Sequence, residues 1–392
     1  MSEKSSLRRL IPSGVLGAYV IILVTRARES LGRFPGDPGY EYLLDGADFG
    51  PRSIFFGDPY FHVMARFVAL IAELSPIGME AIVASSLVHL IWALSGVAIA
   101  SVVRLETTSW ALGAFAGLLL ITAPHAAESS LGNIGNVKWP ISTALIVMCC
   151  SANTLRTRLL PVMIVGILVG MTQPLAILGA IPVTFYALRG VVPKKNALLL
   201  LGLLFATATA QLAKVGFDNS TSGRSAKVVS PWNDMGLFWW SGLIGPLIIS
   251  AAILTYLSML AYQKRGVSTF PVLLAILSIA FSVSTYQLGG IADRYFVLPM
   301  TLSLLALFSV LNETVAQHPR QTRVVAATVG TLLLIPTVKW FSVNPYLASG
   351  PSWSSEVQRA RESCEIQLTE EIELELSSGG RTTLFCSRLA ND

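Results

Sequence analysis

Charged residues are scarce in this 392-residue sequence: Asp, Glu, Lys and Arg make up 13% of it, against about 25% in a soluble domain. A globule cannot be kept in water with so few ions, which excludes an ordinary soluble enzyme. Cysteine is sparse too, with four residues, two of them adjacent in an apolar run at Cys149 and Cys150. That excludes a disulfide-dense secreted scaffold. The four histidines stand far apart at His62, His89, His125 and His318, so no zinc cluster or other metal site is expected. There is no CxxC pair, no HExxH, no GxSxG and no glycine-rich phosphate loop after a strand. No stretch joins clustered Lys/Arg to aromatics as a nucleic-acid surface would. No cofactor is expected.

What the chain has in abundance is apolar surface: 53% of residues are hydrophobic and the mean hydropathy is +0.62. A spanning helix takes about 20 such residues. Eleven runs qualify: Leu10–Thr25, Met79–Val103, Ser109–Pro124, Trp139–Ala152, Leu159–Thr172, Pro174–Leu188, Asn196–Val215, Leu237–Tyr262, Thr269–Leu288, Arg294–Leu311 and Val324–Phe341. The first could be a signal peptide, but Arg26 and Arg28 follow it where small-x-small residues should be. It reads as a retained helix. The fold class expected is an all-α polytopic membrane protein, with a transmembrane domain over 1–341 and a small α+β tail domain over 342–392.

Basic residues in short loops set the orientation. With the N-terminus inside, the inner connections hold Arg104, then Arg156 and Arg158, then Arg189, Lys194 and Lys195, then Lys264 and Arg265, then Arg320 and Arg323. The location expected is the plasma (inner) membrane, with the tail extracytoplasmic. That tail, from Pro351 on, holds four basic and eight acidic residues, while the rest of the chain carries +9. Its Cys364 and Cys386 are plausible disulfide partners on an oxidising side. Within it, Ser354–Cys364 has helical composition, Glu371–Leu376 alternates as a strand, and Thr382–Leu389 can return as a second strand.

Polar residues concentrate in four segments on the outer side. The first, 26–78, holds Asp37, Glu41, Asp45, Asp48 and Asp58, then His62, Arg66 and Glu73. From Pro59 to Leu74 its apolar spacing marks an amphipathic interfacial helix, with His62 and Arg66 at i and i+4 on one face. The second, His125–Lys138, holds Glu128, Asn133, Asn136 and Lys138; the third, Gly216–Gly236, includes Trp232; the fourth holds Gln287, Asp293, Arg294 and Tyr295. Inside the spans, by contrast, only His89 and Lys214 are ionisable, where an ion-coupled transporter would place several charges. Gly113/Gly117 and Gly166/Gly170 read as helix-packing pairs.

Carboxylates, cations and aromatics at one membrane face suit a polar group carried on a lipid. For the glycosyl transfer implied by the family resemblance below, the chain would need a base for an acceptor hydroxyl and cations for a leaving phosphate. Asp37 is the first choice of base, then Asp58, with Glu41 and Asp45 behind them. His62, Arg66, Lys138 and Arg294 are candidates for the phosphate. Asn133, Asn136 and Gln287 are candidates for sugar hydroxyls, and Trp139, Trp232 or Tyr295 for stacking on a ring.

The segments GDPYFHVMAR (57–66), ESSLGNIGNVKW (128–139) and GGIADRYFVLP (289–299), with the PSW…C…C tail, give the chain a family likeness. It resembles the C-type (GT-C) superfamily of polytopic membrane glycosyltransferases, and within it uncharacterised bacterial members. The resemblance implies an inverting enzyme that takes sugar from a polyprenyl-phosphate donor on the outer face, with a first-loop carboxylate as base. The acceptor would be an envelope glycan or lipid. The family's pattern often opens with an acidic pair soon after the first helix; here the acidic residues are dispersed from Asp37 to Asp58. The competing readings are a transporter or flippase of lipid-linked intermediates, and a non-catalytic subunit of a membrane complex.

Overall fold

The computed structural model describes residues 3–34, 39–55, 61–123, 131–217, 244–263, 266–287, 296–317, 341, 349–367, 370–377 and 379–390. The bundle is built from α1 (Glu3–Arg26), α4 (Glu80–Thr107), α5 (Trp110–Ile121), α6 (Lys138–Cys150), the short α7 (Ala152–Thr157), α8 (Leu159–Gly170), α9 (Ala180–Leu188), α10 (Lys194–Phe217), α11 (Ile244–Tyr262), α12 (Thr269–Gln287) and α13 (Val297–Gln317). Between α1 and α4 come α2 (Gly39–Phe49) and α3 (Val63–Glu73). The C-terminal unit consists of α14 (Trp353–Gln367), β1 (Glu371–Glu375), β2 (Arg381–Phe385) and α15 (Cys386–Ala390).

Among the described residues, four helices are long and apolar enough to cross a membrane: Ile77–Thr107, Lys194–Lys214, Gly245–Tyr262 and Val297–Thr314. Shorter apolar helices accompany them at Pro12–Arg26, Trp110–Ile121, Ile134–Cys150, Leu159–Gly170, Pro174–Leu188 and Thr269–Ser284. Ten of the eleven apolar runs thus contain helix; the eleventh, 324–341, lies almost wholly outside the described residues. Large apolar side chains stand exposed on the outer helix faces, such as Leu160 and Ile164 on α8 and Leu198, Phe205 and Leu212 on α10. With no polar coat on those faces, the helices are those of a membrane protein.

The sequence dictates where several helices stop. Thr108 takes a left-handed conformation (φ 59°) to end α4, and Ser109 accepts from Leu112 N at 3.3 Å to start α5. Ser151 breaks the run after Cys150 and caps α7 by accepting from Thr154 N at 3.1 Å. Pro174 opens a 3-10 turn, Pro174–Gly179, so α9 begins only at Ala180. Glycine sets the closest approaches. A Cβ on Gly117 would run into the Gly96 carbonyl and the Tyr19 hydroxyl, and one on Gly113 into the Ala100 carbonyl. A Cβ on Gly170 would meet Thr207 of α10. Both glycine pairs therefore sit in helix contacts.

One end of the bundle holds the first polar segment against the ends of α8 and α10. Phe61 N donates to Gln211 Oε1 (3.1 Å), Val63 N to Met171 O (3.4 Å) and Met64 N to Thr172 Oγ1 (3.2 Å). Arg26, 1% exposed, donates from Nε to Phe341 O at 2.7 Å, from Nη2 to Ala123 O at 3.1 Å, and from Nη1 to Ile121 O. Arg26 is a buried cross-link between segments and not a surface charge. The opposite end holds Arg104 over the Trp110 ring (4.4 Å), Ser151 donating to Glu106 Oε1 (2.5 Å) and Tyr186 donating to Cys150 O (2.6 Å).

The C-terminal unit differs from its sequence reading in one respect. β1 pairs antiparallel with β2 from Glu371↔Phe385 to Glu375↔Arg381. Cys386 N still donates to Glu370 O at 2.9 Å, the next position of that register, and the chain then turns into α15, where a strand to Leu389 was expected. Cys364 and Cys386 form a disulfide, while Cys149 and Cys150 are free and buried.

Candidate functional site

The excursion between α1 and α4 contains α2 in addition to the amphipathic helix expected there. Tyr40, Leu43 and Leu44 of α2 supply its buried or half-buried face, and α2 packs along α3. Gly46 lies in that contact, where a Cβ would stand 2.8 Å from the tip of the Glu73 side chain. Glu73 in turn has its carboxyl pushed upward, first by burial and then by the Asp48 charge, against the pull of Arg388.

The amphipathic helix expected over Pro59–Leu74 is α3, and it starts later. His62 takes a left-handed backbone (φ 45°) as its N-cap, and Arg66 N donates to His62 O at 3.1 Å across the first turn. α3 buries Ala65, Arg66, Val68, Ala69 and Ala72 and exposes Phe67 and Leu74. The small residues let α3 lie close on the bundle, and that brings Arg66 inside.

Arg66 organises the site. Its side chain is 1% exposed, and Nη1 donates to Asp45 Oδ2 at 2.8 Å and to Ser53 O at 2.6 Å. The Tyr42 ring covers a face of the guanidinium, 5.3 Å from its carbon. Nε and Nη2 are buried with no hydrogen-bond partner among the described residues. These two N–H groups form the side-on edge of the fork, the geometry that grips two oxygens of a phosphate or carboxylate.

His62 adds to this arrangement. Its ring lies 5.8 Å from that of Tyr42 and is 9% exposed. Burial, with the charges of Lys138 and Arg66, pushes its pKa down to about 3, so the imidazole is neutral at physiological pH. The positive potential that disfavours a charged histidine also favours a bound anion. Lys138 lies 5.6 Å over the Trp139 ring, and Lys214, at the end of α10, lies 5.5 Å over the Phe61 ring. The same end is braced by Gln211, fully buried, which accepts from Phe61 N and donates from Nε2 to Gly170 O at 3.1 Å.

The other expected site residues fall in different places. Asp45, His62, Arg66 and Lys138 come together, and Glu41 stands exposed on α2, one turn before Asp45. Asn133 and Asn136 are buried with their side-chain oxygens engaged: Asn133 accepts from Gly135 N at 2.9 Å and Asn136 from Trp139 Nε1 at 3.3 Å. They hold the turn that leads into α6. Trp139 is 2% exposed, and a ring already covered by protein offers no stacking face to a sugar. Gln287 ends α12, and its side chain lies outside the described residues, as do Asp37, Asp58, Trp232, Arg294 and Tyr295. Among the described residues no group of three or more His, Cys, Asp or Glu could hold a metal ion.

Tyr42, Ser53 and Gln211 were missed by the sequence reading. Tyr42 had a signal, lying three residues before Asp45 on the same helical face; the carbonyl of Ser53 had none. No family model and no curated protein matches the chain.

Proposed function

We propose that the protein is an inverting membrane glycosyltransferase, taking a sugar from a polyprenyl-phosphate donor and passing it to an envelope glycan or lipid. The observation that carries this reading is Arg66: a buried guanidinium, held by Asp45 and the Ser53 carbonyl, with its Nε/Nη2 edge unsatisfied among the described residues and beside a neutral His62. Such a fork suits the non-bridging oxygens of a phosphate, and Lys138 and Lys214 add positive charge at the same end.

In this reading the phosphate is bound first, by Arg66 with Lys138. As the glycosidic C–O bond breaks, negative charge grows on the phosphate oxygens, and the cations stabilise it. A carboxylate of the first excursion takes the acceptor's proton. Asp37 and Asp58 remain the first choices for that base. Asp45 is committed to Arg66, which lowers its suitability as a proton acceptor and suits it to holding the guanidinium. Asn133 and Asn136 act as turn residues, with sugar contacts left to Gln287 and Tyr295, while Arg294 stays a phosphate candidate.

The proposed orientation puts this end outside the plasma membrane, with the N-terminus cytoplasmic and eleven crossings in all. Arg104, Arg156, Arg158, Arg189, Lys194 and Lys195 then lie inside, as the positive-inside rule favours. The Cys364–Cys386 disulfide suits a tail domain on an oxidising face.

The test is complementation of a deletion strain, with envelope glycans and lipid-linked sugars read by mass spectrometry. Wild type is compared with Asp37→Asn, Asp58→Asn and Arg66→Gln, each verified in the membrane. Loss of one sugar increment with accumulation of its lipid-phosphate donor supports the transferase. A wild-type profile from all three variants overturns it and favours the non-catalytic subunit.

A further inference from the structure

The excursion that carries the candidate site leaves the bundle after Gly32 and returns at Ile77, and one residue of the C-terminal unit holds both stems. Trp353 donates from its backbone N to Gly32 O at 2.9 Å and from its indole Nε1 to Ile77 O at 2.5 Å. Its ring, 2% exposed, stands 5.0 Å from Phe34 and 5.0 Å from Tyr40, and those two lie 5.5 Å apart. Tyr40 belongs to the first turn of α2, the helix that presents Tyr42 and Asp45 to Arg66.

The rest of the unit reinforces the same two stems. Ser377 donates from N (2.9 Å) and Oγ (2.7 Å) to Phe34 O on the outgoing side. Arg388 Nη2 reaches Glu80 Oε1 at 2.9 Å on the returning side, where Glu80 is only 1% exposed. The hairpin is tied to α14 through Glu356, whose carboxylate accepts from Arg359 Nη2 (2.7 Å) and Glu375 N (2.9 Å). Arg388 lies two residues beyond Cys386, so the disulfide to Cys364 anchors the short helix that makes the Glu80 contact.

We propose that the C-terminal unit is a clamp on the Gly32–Ile77 excursion, with Trp353 the positioning residue that fixes α2, and through Tyr42 and Asp45 the orientation of Arg66. Closing a flexible excursion of this length between two mobile stems would leave its internal helices free to separate. Fixing both stems with one rigid aromatic residue removes that freedom and pre-organises the site. Only the identity of what the site binds rests on the transferase reading.

The experiment is amide hydrogen exchange on the full chain in nanodiscs, comparing wild type, Trp353→Ala and Trp353→Phe. Phenylalanine keeps the aromatic cluster and loses only the bond to Ile77. The expected result is exchange at least tenfold faster in α2 and at the start of α3 for Trp353→Ala, unchanged exchange in α6 and α13, and substantial rescue in Trp353→Phe. Equal acceleration in all helices, or no change in α2, overturns the clamp. If Trp353→Ala does not fold, Ser377→Ala provides the same comparison through the Phe34 stem, with the same two overturning results. A second arm titrates undecaprenyl phosphate into the same nanodiscs. If wild type does not bind it, the transferase reading fails while the exchange result still decides the clamp; if wild type binds and the clamp holds, Trp353→Ala weakens binding by tenfold or more.

Discussion

Arg66 and Asp45 form an unequal ion pair: the guanidinium is 1% exposed and the carboxylate that holds it at 2.8 Å is 30% exposed. The two partners are therefore not interchangeable for stability. Removing the carboxylate leaves a buried cation uncompensated, whereas removing the arginine leaves a carboxylate that water can reach. Asp45→Asn is expected to destabilise by about 3 kcal/mol and Arg66→Met by clearly less, because a stranded buried charge costs several kcal/mol. Thermal unfolding of both variants in one detergent checks the order. Equal losses would contradict the burial asymmetry.

His62 makes a pH prediction. Its pKa is pushed down to about 3 in the folded chain, against an ordinary value near 6.5. Between those values the unfolded chain binds a proton that the folded chain refuses, so the stabilisation is complete above about pH 6.5 and is lost as pH falls toward 3. The slope approaches about 1.4 kcal/mol per pH unit within that window. His62→Asn, a residue that tolerates the left-handed backbone at φ 45°, should remove this component. The difference between the two stability–pH curves is the measurement, and parallel curves would refute the assignment.

Gly117 and Gly202 should respond oppositely to alanine. A Cβ at Gly117 runs into the Gly96 carbonyl, while nothing lies within 4 Å of one at Gly202. Gly117→Ala is expected to cost roughly 1–3 kcal/mol by overpacking α4 against α5, and Gly202→Ala to be tolerated. Unfolding midpoints of the two variants decide it.

The disulfide closes a sequence separation of 22 residues. Reduction should lower the stability of the C-terminal unit by about 3 kcal/mol in the chain-entropy model. Limited proteolysis with and without a phosphine reductant reads this directly: cleavage within 353–390 should accelerate on reduction before the bundle is cut.

How much was readable in advance depended on the kind of signal. Apolar runs and the Gly113/Gly117 and Gly166/Gly170 pairs are local patterns, and both appear in the helices and their contacts. α2 was not read, because its DGADF end looks like a loop and its helix depends on packing against α3 through Gly46 and Glu73. The end of β2 was misjudged since the chain turns into α15 at Cys386, the residue held by the disulfide to Cys364. In sequence Arg26 is only a charge following the first apolar run; the distant carbonyls of Ile121, Ala123 and Phe341 make it a buried cross-link. Asp45, His62, Arg66 and Lys138 were each nameable from type and segment. That Arg66 is held by Asp45 and Ser53 is a tertiary fact.

We propose that Arg66 receives the phosphate of a lipid-linked sugar. Its most direct test is transfer in proteoliposomes containing a polyprenyl-phosphate sugar, with wild type compared to Arg66→Lys and Arg66→Gln. Lysine keeps the charge but has no side-on fork, so the account predicts release of polyprenyl phosphate by wild type, a loss of at least tenfold with lysine, and a larger loss with glutamine. Full activity in the glutamine variant, or no release by folded wild type with any polyprenyl-phosphate sugar supplied, would contradict it.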